Sequence, residues 1–221
     1  METMFLHEVP LSARRLGRHV RHDPRSWGFP APMAGQIASV RHTRHVPVWD
    51  QGSVGSCTGQ AAVGCIGTGP FTHAGTAEEA LEVYSHATSL DDIAGTYPPT
   101  DTGSSGLAVM KALQARSLIQ GFTHAFDLNS TLRALMLRPG ITGIAWREGC
   151  DTPDANGIVR YTGLVRGGHE VVIEGLDWEN KLVWLCNSWG PGWGFGGAFA
   201  MSVSDYAKAL ADHGDATFPL V

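Results

Sequence analysis

Helical and strand-like patterning change over at one place in this sequence, Pro139-Gly140, and that change sets the architecture. Before it, residues 57–68, 76–89 and 106–117, and a segment opening near Asn129, carry apolar residues at helical spacing. The second of these starts at a capping Thr76 followed by acids, and places Ala80, Leu81, Tyr84 and Ala87 on one face. The third follows Ser105 as its cap, with Leu107, Met110 and Leu113 in one stripe. After Gly140 the period shortens, and residues 141–146, 157–161, 170–174, 182–185 and 197–201 read as strands. Helices first and strands afterwards specify an α+β chain with a helical lobe and a β lobe. The expected division is an N-terminal extension over 1–45, a helical lobe over 46–140 and a β lobe over 141–221.

The extension is punctuated by Pro10, Pro24, Pro30 and Pro32 and is expected to wrap the domain rather than fold alone. Its basic stretch from Arg14 to Arg25 reads as a solvated face. A net charge of −5 gives no reason to expect nucleic acid or an anionic membrane as partner. The first eight residues lack the basic-then-apolar order of a signal peptide, and no apolar run reaches membrane-spanning length. A monomer in the cytoplasm or in a virion is therefore expected. Cys57, Cys65, Cys150 and Cys186 lack C-x-x-C spacing, so free thiols are expected rather than zinc, and no cofactor.

Two stretches carry chemistry. In the first, residues 46–64, a Gly/Ser-rich turn delivers Cys57 to the start of a small-residue helix. Unpaired N–H groups and the helix dipole favour thiolate there, and thiolate is the nucleophile. Gln51 lies six residues upstream, where its amide can fold back as an oxyanion donor beside the Cys57 N–H. In the second, His169 opens one strand and Asn187 closes the next. With residues 177–179 as the turn of an antiparallel hairpin, His169 falls opposite Asn187. An imidazole beside an amide is what a general base with its orienting partner requires.

Together, residues 51–57 (Gln-Gly-Ser-Val-Gly-Ser-Cys), Gly168-His169 and residues 187–194 (Asn-Ser-Trp-Gly-Pro-Gly-Trp-Gly) resemble the papain family of cysteine peptidases, in particular compact bacterial and bacteriophage-type members. The resemblance covers about residues 45–205. It implies a two-lobe fold with the active site in the cleft between the lobes. It further implies Cys57 as nucleophile, His169 as base and then acid, Asn187 as orienter, Gln51 as oxyanion donor, and Trp189 as a shield over the His–Asn bond. Peptide or protein substrates would lie against Gly103, Ser104, Ser105, Gly106, Gly167, Gly168, Glu170 and Trp189. Val54 stands where the family usually has a disulfide cysteine, and Thr58 replaces the usual aromatic residue after the nucleophile.

The implied activity is peptide-bond hydrolysis through a thiol acyl-enzyme. Its alternatives are an amidase acting on cell-wall peptides and a non-catalytic module of the same fold. Three expectations accompany this reading. Cys57 has a depressed pKa and alkylates before the other cysteines. Residues 1–45 pack on the domain, and part of them restrains the cleft. Glu170 either selects Arg or Lys in the substrate or is neutralised by an internal arginine, with Arg166 and Arg147 as candidates.

Overall fold

The computed structural model describes residues 3–6, 8 and 14–221; Pro10 lies outside them. The first half of the domain is helical. Helix α1 (Cys57–Ile66) is buried along its whole length, which its small residues permit: a Cβ on Gly59 would meet the Ala80 carbonyl of α2 (Ala77–Leu90) at 2.2 Å. Thr76 caps α2 by accepting from the Glu79 N–H, and Ser105 caps α3 (Gly106–Ala115) by accepting from the Ala108 N–H. Helix α4 (Leu128–Leu135) is capped by Asp127, and α5 (Val203–Ala211) by Ser202. The sequence reading missed α5.

Among the described residues eight strands form one sheet: β1 (Val40–Arg41), β2 (Gly121–Ala125), β3 (Gly140–Arg147), β4 (Ile158–Val159), β5 (Val165–Asp177), β6 (Leu182–Cys186), β7 (Ala198–Ser202) and β8 (Asp215–Leu220). Their order is β2-β8-β3-β5-β6-β7-β4, with β1 added beside β5. Strand β2 precedes residue 140, so the sheet draws on chain assigned above to the helical lobe. It was not read as a strand, and neither was β8.

Strand β5 is the axis of the fold. Its residues alternate between two cores, as a pleated strand buried on both faces must. Val172 joins Ile141 and Cys186 under α1–α3, while Val171 and Ile173 join Trp146, Trp189, Trp193 and Phe199 on the other face. His169 therefore points into the tryptophan-rich core, and Glu170 toward the helices.

The hairpin of β5 and β6 does not have the expected register. Asp177 pairs with Leu182, so the turn is four residues long and ends at Lys181 with φ +57°. A register shift between Ile173 and Gly175 then brings Val172 opposite Cys186. His169 is thus not the cross-strand partner of Asn187. The two meet because Asn187 follows the last residue of β6 and its side chain turns back.

The basic stretch is also corrected. Within it Leu16 and Arg18 are 0% and 1% exposed, so this part of the extension is an interior strap rather than a solvated face.

Candidate active site

Cys57 is the first residue of α1, after Ser56, so its own N–H has no acceptor within the helix. The backbone N–H groups of Thr58 and Glu170 favour the thiolate. The thiol is nevertheless pushed well above its ordinary pKa, because it is completely buried. This reverses the expectation of a depressed pKa in the structure as it stands. Cys65, Cys150 and Cys186 are likewise free, buried and raised, the last two to about 12. Nothing in the ionisation of this closed state sets Cys57 apart.

His169 is 0% exposed. Its Nε2 lies 2.7 Å from Asn187 Oδ1, and its ring stacks on Trp189 at 5.0 Å and meets the edge of Trp146 at 4.9 Å. The backbone N–H of Ser188 also donates to Asn187 Oδ1, at 2.8 Å. A backbone N–H can only donate, so it fixes which end of the amide is the oxygen and makes Nε2 the protonated nitrogen of neutral His169. Nδ1 then carries the lone pair, is buried, and has no hydrogen-bond partner among the described residues. Burial lowers the imidazole to about 4, against the favourable bond to Asn187. Trp189, 4% exposed, lies against the His169 ring of this pair.

Gln51 is clamped to the segment that carries Asn187. Its N–H donates to the Ser188 carbonyl at 2.9 Å, and its Oε1 accepts from Ser188 Oγ at 2.5 Å. Its Nε2 donates one hydrogen to the Val54 carbonyl at 2.9 Å, leaving the second. Ser188 was quoted in the sequence motif without a role; here it sets the angle of the Gln51 amide.

The expected substrate-contacting residues are covered by the chain's own residues 16–19. The Gly17 and Arg18 N–H groups both donate to the Gly168 carbonyl, at 3.1 and 3.0 Å. Ser104 donates to the Gly17 carbonyl and accepts from the His19 N–H, both at 2.8 Å, a parallel bridge. The approach is so close that a Cβ on Gly17 would stand 2.1 Å from the Gly55 carbonyl, and one on Gly168 2.0 Å from the Arg18 carbonyl. Gly103 and Gly167 adjoin the same strap through Gly17 and Leu16, and Trp189 Nε1 donates to the Arg15 carbonyl at 3.4 Å. Ser105 is occupied as the cap of α3, and Gly106 lies under the Glu170 carboxylate.

Glu170 is 1% exposed and faces an arginine, but neither candidate named above. Arg166 pairs with Asp151 and Arg147 with Asp212; the partner of Glu170 is Arg18, with Nε 3.8 Å from Oε2. Arg18 Nη2 also donates to Asp215 Oδ1 at 2.6 Å. Burial, and then Asp215, raise Glu170 to about 8 despite Arg18. Neither Arg18 nor Asp215 was singled out in the sequence. They lie 197 residues apart and meet where the strap crosses the sheet. Among the described residues no group of three or more His, Cys, Asp or Glu side chains is placed to hold a metal ion, and no helix is long and apolar enough to cross a membrane.

Two lobes built on helix α1 and strand β5, with Cys57 on one and His169 on the other, make the papain-like fold of cysteine proteases. No family model and no curated sequence matches the chain. Among solved structures it is similar to xylellain, a cysteine protease from Xylella fastidiosa, with a TM-score of 0.71 at 17% identity over 96% of this chain and 99% of that one. The proform of the ragweed pollen cysteine protease Amb a 11 gives 0.60 at 18% identity, covering 89% and 72% of the two chains. Procathepsin L 3 of the Tenebrio molitor larval midgut gives 0.56 at 18% identity, covering 95% and 76%.

Proposed function

We propose that this chain is a cysteine peptidase, and that the conformation described is its latent state. The observation that carries the reading is the His169–Asn187 pair. Its fixed tautomer leaves a lone pair on Nδ1 that has no hydrogen-bond partner among the described residues, on the strand residue before Glu170, whose backbone N–H favours the Cys57 thiolate. Nδ1 accepts the thiol proton, and the sulfur attacks the substrate carbonyl carbon. The carbonyl oxygen gathers negative charge and is met by the free Gln51 Nε2–H and the Cys57 N–H. Losing one such donor costs about 3–4 kcal/mol of transition-state stabilisation. Protonated His169 then gives its proton to the leaving amine, and water releases the acyl group by the same steps in reverse order.

An imidazole lowered to about 4 and a raised thiol are both uncharged, and burial is the main cause on both sides. Withdrawal of residues 14–20 readmits water, removes that cause, and lets the N–H groups at the start of α1 favour thiolate. Latency and reactivity are thus two hydration states of one site.

The reading is tested with a thiol-directed epoxide and a mixture of fluorogenic peptides, on the wild type and on a Gly17→Val chain whose strap cannot seat. An adduct at Cys57 with peptide turnover, both absent from Cys57→Ala, supports it. A folded Gly17→Val chain that neither labels at Cys57 nor cleaves any peptide overturns it.

A further inference from the structure

Glu170, Gly143 and Asp215 stand in one row across the sheet: Gly143 of β3 pairs with Glu170 of β5 on one side and with Asp215 of β8 on the other. Paired residues share a face, and strands lie about 4.8 Å apart, so two carboxylates flank a gap in which the middle residue has no side chain. The Arg18 guanidinium fills that gap. A Cβ on Gly143 would come within 2.3 Å of Arg18 Nε and 2.8 Å of Nη2. Nη2 donates to Asp215 Oδ1 at 2.6 Å and to the His213 carbonyl at 3.1 Å. Gly106 forms another wall, with a Cβ there 3.2 Å from both Glu170 oxygens.

We infer that the Asp215–Gly143–Glu170 row is a guanidinium pocket by which the peptidase selects an arginine side chain of its substrate, and that Arg18 occupies it as an internal stand-in. The inference rests on the peptidase reading above and names its substrate class.

Three observations carry it. The pocket holds two acids for one arginine, so it is richer in acceptors than a simple ion pair needs, and His22 Nε2, 3.7 Å from Asp215, is a competing neighbour. The fit is also incomplete. Arg18 Nε and Nη1 and Glu170 Oε2 are buried without a hydrogen-bond partner among the described residues. Unmade bonds of this kind weaken the hold of an occupant. Finally, the backbone at Arg18 lies in the cleft as an extended peptide does, bonded to Gly168 on one wall and flanked by bonds to Ser104 on the other. An apolar side chain in the same place leaves the buried Asp215 and Glu170 carboxyl groups without a hydrogen-bond partner, which is the penalty that discriminates strongly between substrates.

The test uses the full chain with Arg18→Ala, alone and combined with Asp215→Asn, Glu170→Gln or Gly143→Ala. Agmatine, an alkylguanidine, is expected to raise the Tm of Arg18→Ala, while its uncharged urea analogue does not. Peptides are then compared that carry arginine, citrulline or leucine at each position before the cleavage site. At one position arginine is expected to exceed citrulline in kcat/KM by on the order of a hundredfold. Asp215→Asn or Gly143→Ala should collapse that ratio toward one, and Glu170→Gln reduce it less. Equal cleavage of the arginine and citrulline peptides, with no agmatine effect, overturns the pocket and leaves the peptidase reading intact. Agmatine binding without cleavage of any peptide by any variant sustains the pocket and defeats that reading. Wild type gives a second readout, independent of whether Arg18→Ala folds: agmatine competes with Arg18 and should speed Cys57 alkylation several-fold. Equal rates with and without agmatine overturn the inference.

Discussion

His169 and Glu170 are neighbours on one strand, equally buried, and they face opposite cores. Their environments answer the cost of burial in different ways. On the His169 side the ring's hydrogen-bond and aromatic partners come from the sheet and the 187–193 segment: Asn187 accepts from Nε2, Trp189 and Trp146 enclose the ring, and Ser188 fixes the amide. On the Glu170 side the compensating cation arrives from Arg18, on a strap that lies outside both lobes and is held to the cleft walls mainly by backbone hydrogen bonds. A catalytic group needs a partner that is always present; a selecting group needs one that can be exchanged. The difference between the two faces separates the permanent machinery from the removable part.

The largest test of that separation is the nucleophile. Cys57→Ala should lower turnover of any cleaved peptide by about a thousandfold or more while the thermal transition stays within a few degrees of wild type. Retained turnover moves the chemistry to another group. Next is the strap. With 2.1 Å between a new Cβ and the Gly55 carbonyl, Gly17→Val cannot seat residues 16–18. Peptide turnover and the iodoacetamide rate at Cys57 should each rise about tenfold or more, as burial ceases to hold the thiol up. A folded variant with unchanged rates makes the strap part of the permanent scaffold, and the two faces then do not differ.

On the permanent face, Asn187→Ala removes the acceptor of His169 Nε2 and frees the ring to turn. A hydrogen bond to a group that becomes charged is worth about 1.5–3 kcal/mol, so kcat should fall about 10–100-fold with KM little changed. An equal change in KM assigns Asn187 to binding instead.

What the sequence discloses follows the range of the interactions involved. Thr76 and Ser105 were readable as caps because a cap is completed within three residues. Cys57 at the start of α1 was readable for the same reason, as was the change of period at Gly140. The hairpin register was not: a four-residue turn and an irregularity at Glu174 leave little mark on composition, and one added residue shifts every pair. Strand β8 escaped notice because it contains Pro219 and gains its identity from pairing with β2 and β3 rather than from a pattern of its own. The burial of Arg18 depends on Asp215, Glu170 and Gly143, three strands distant in sequence and adjacent only in the sheet. A run of arginines and histidines reads as a surface until a carboxylate row is known to await it.

The smallest effect is the sharpest on the comparison, because the two neighbours should give stability slopes of opposite sign with pH. His169 is lowered to about 4 by burial, from an ordinary value near 6.5. Between those values the unfolded chain binds the proton and the folded chain does not, so His169 makes stability rise with pH from about 4 to 6.5. Glu170 is raised to about 8 by burial and by Asp215, from about 4.5. Here the folded chain holds the proton that the unfolded chain has released, so this residue makes stability fall as pH climbs from 4.5 to 8. Each slope should amount to a few degrees of Tm in a domain of this size. Between pH 4.5 and 6.5 the two oppose one another, so His169→Gln should uncover a fall that begins near 4.5, and Glu170→Gln should remove the fall between 6.5 and 8 and leave the rise up to 6.5. If Arg18→Ala leaves the alkaline limb unaltered, the strap carries none of the charge balance on the Glu170 side, and the contrast drawn between the two faces fails. An alkaline limb that runs on to higher pH in that variant is the expected result, because removing the cation beside Glu170 raises its carboxyl further and widens the pH range over which the folded chain alone keeps the proton.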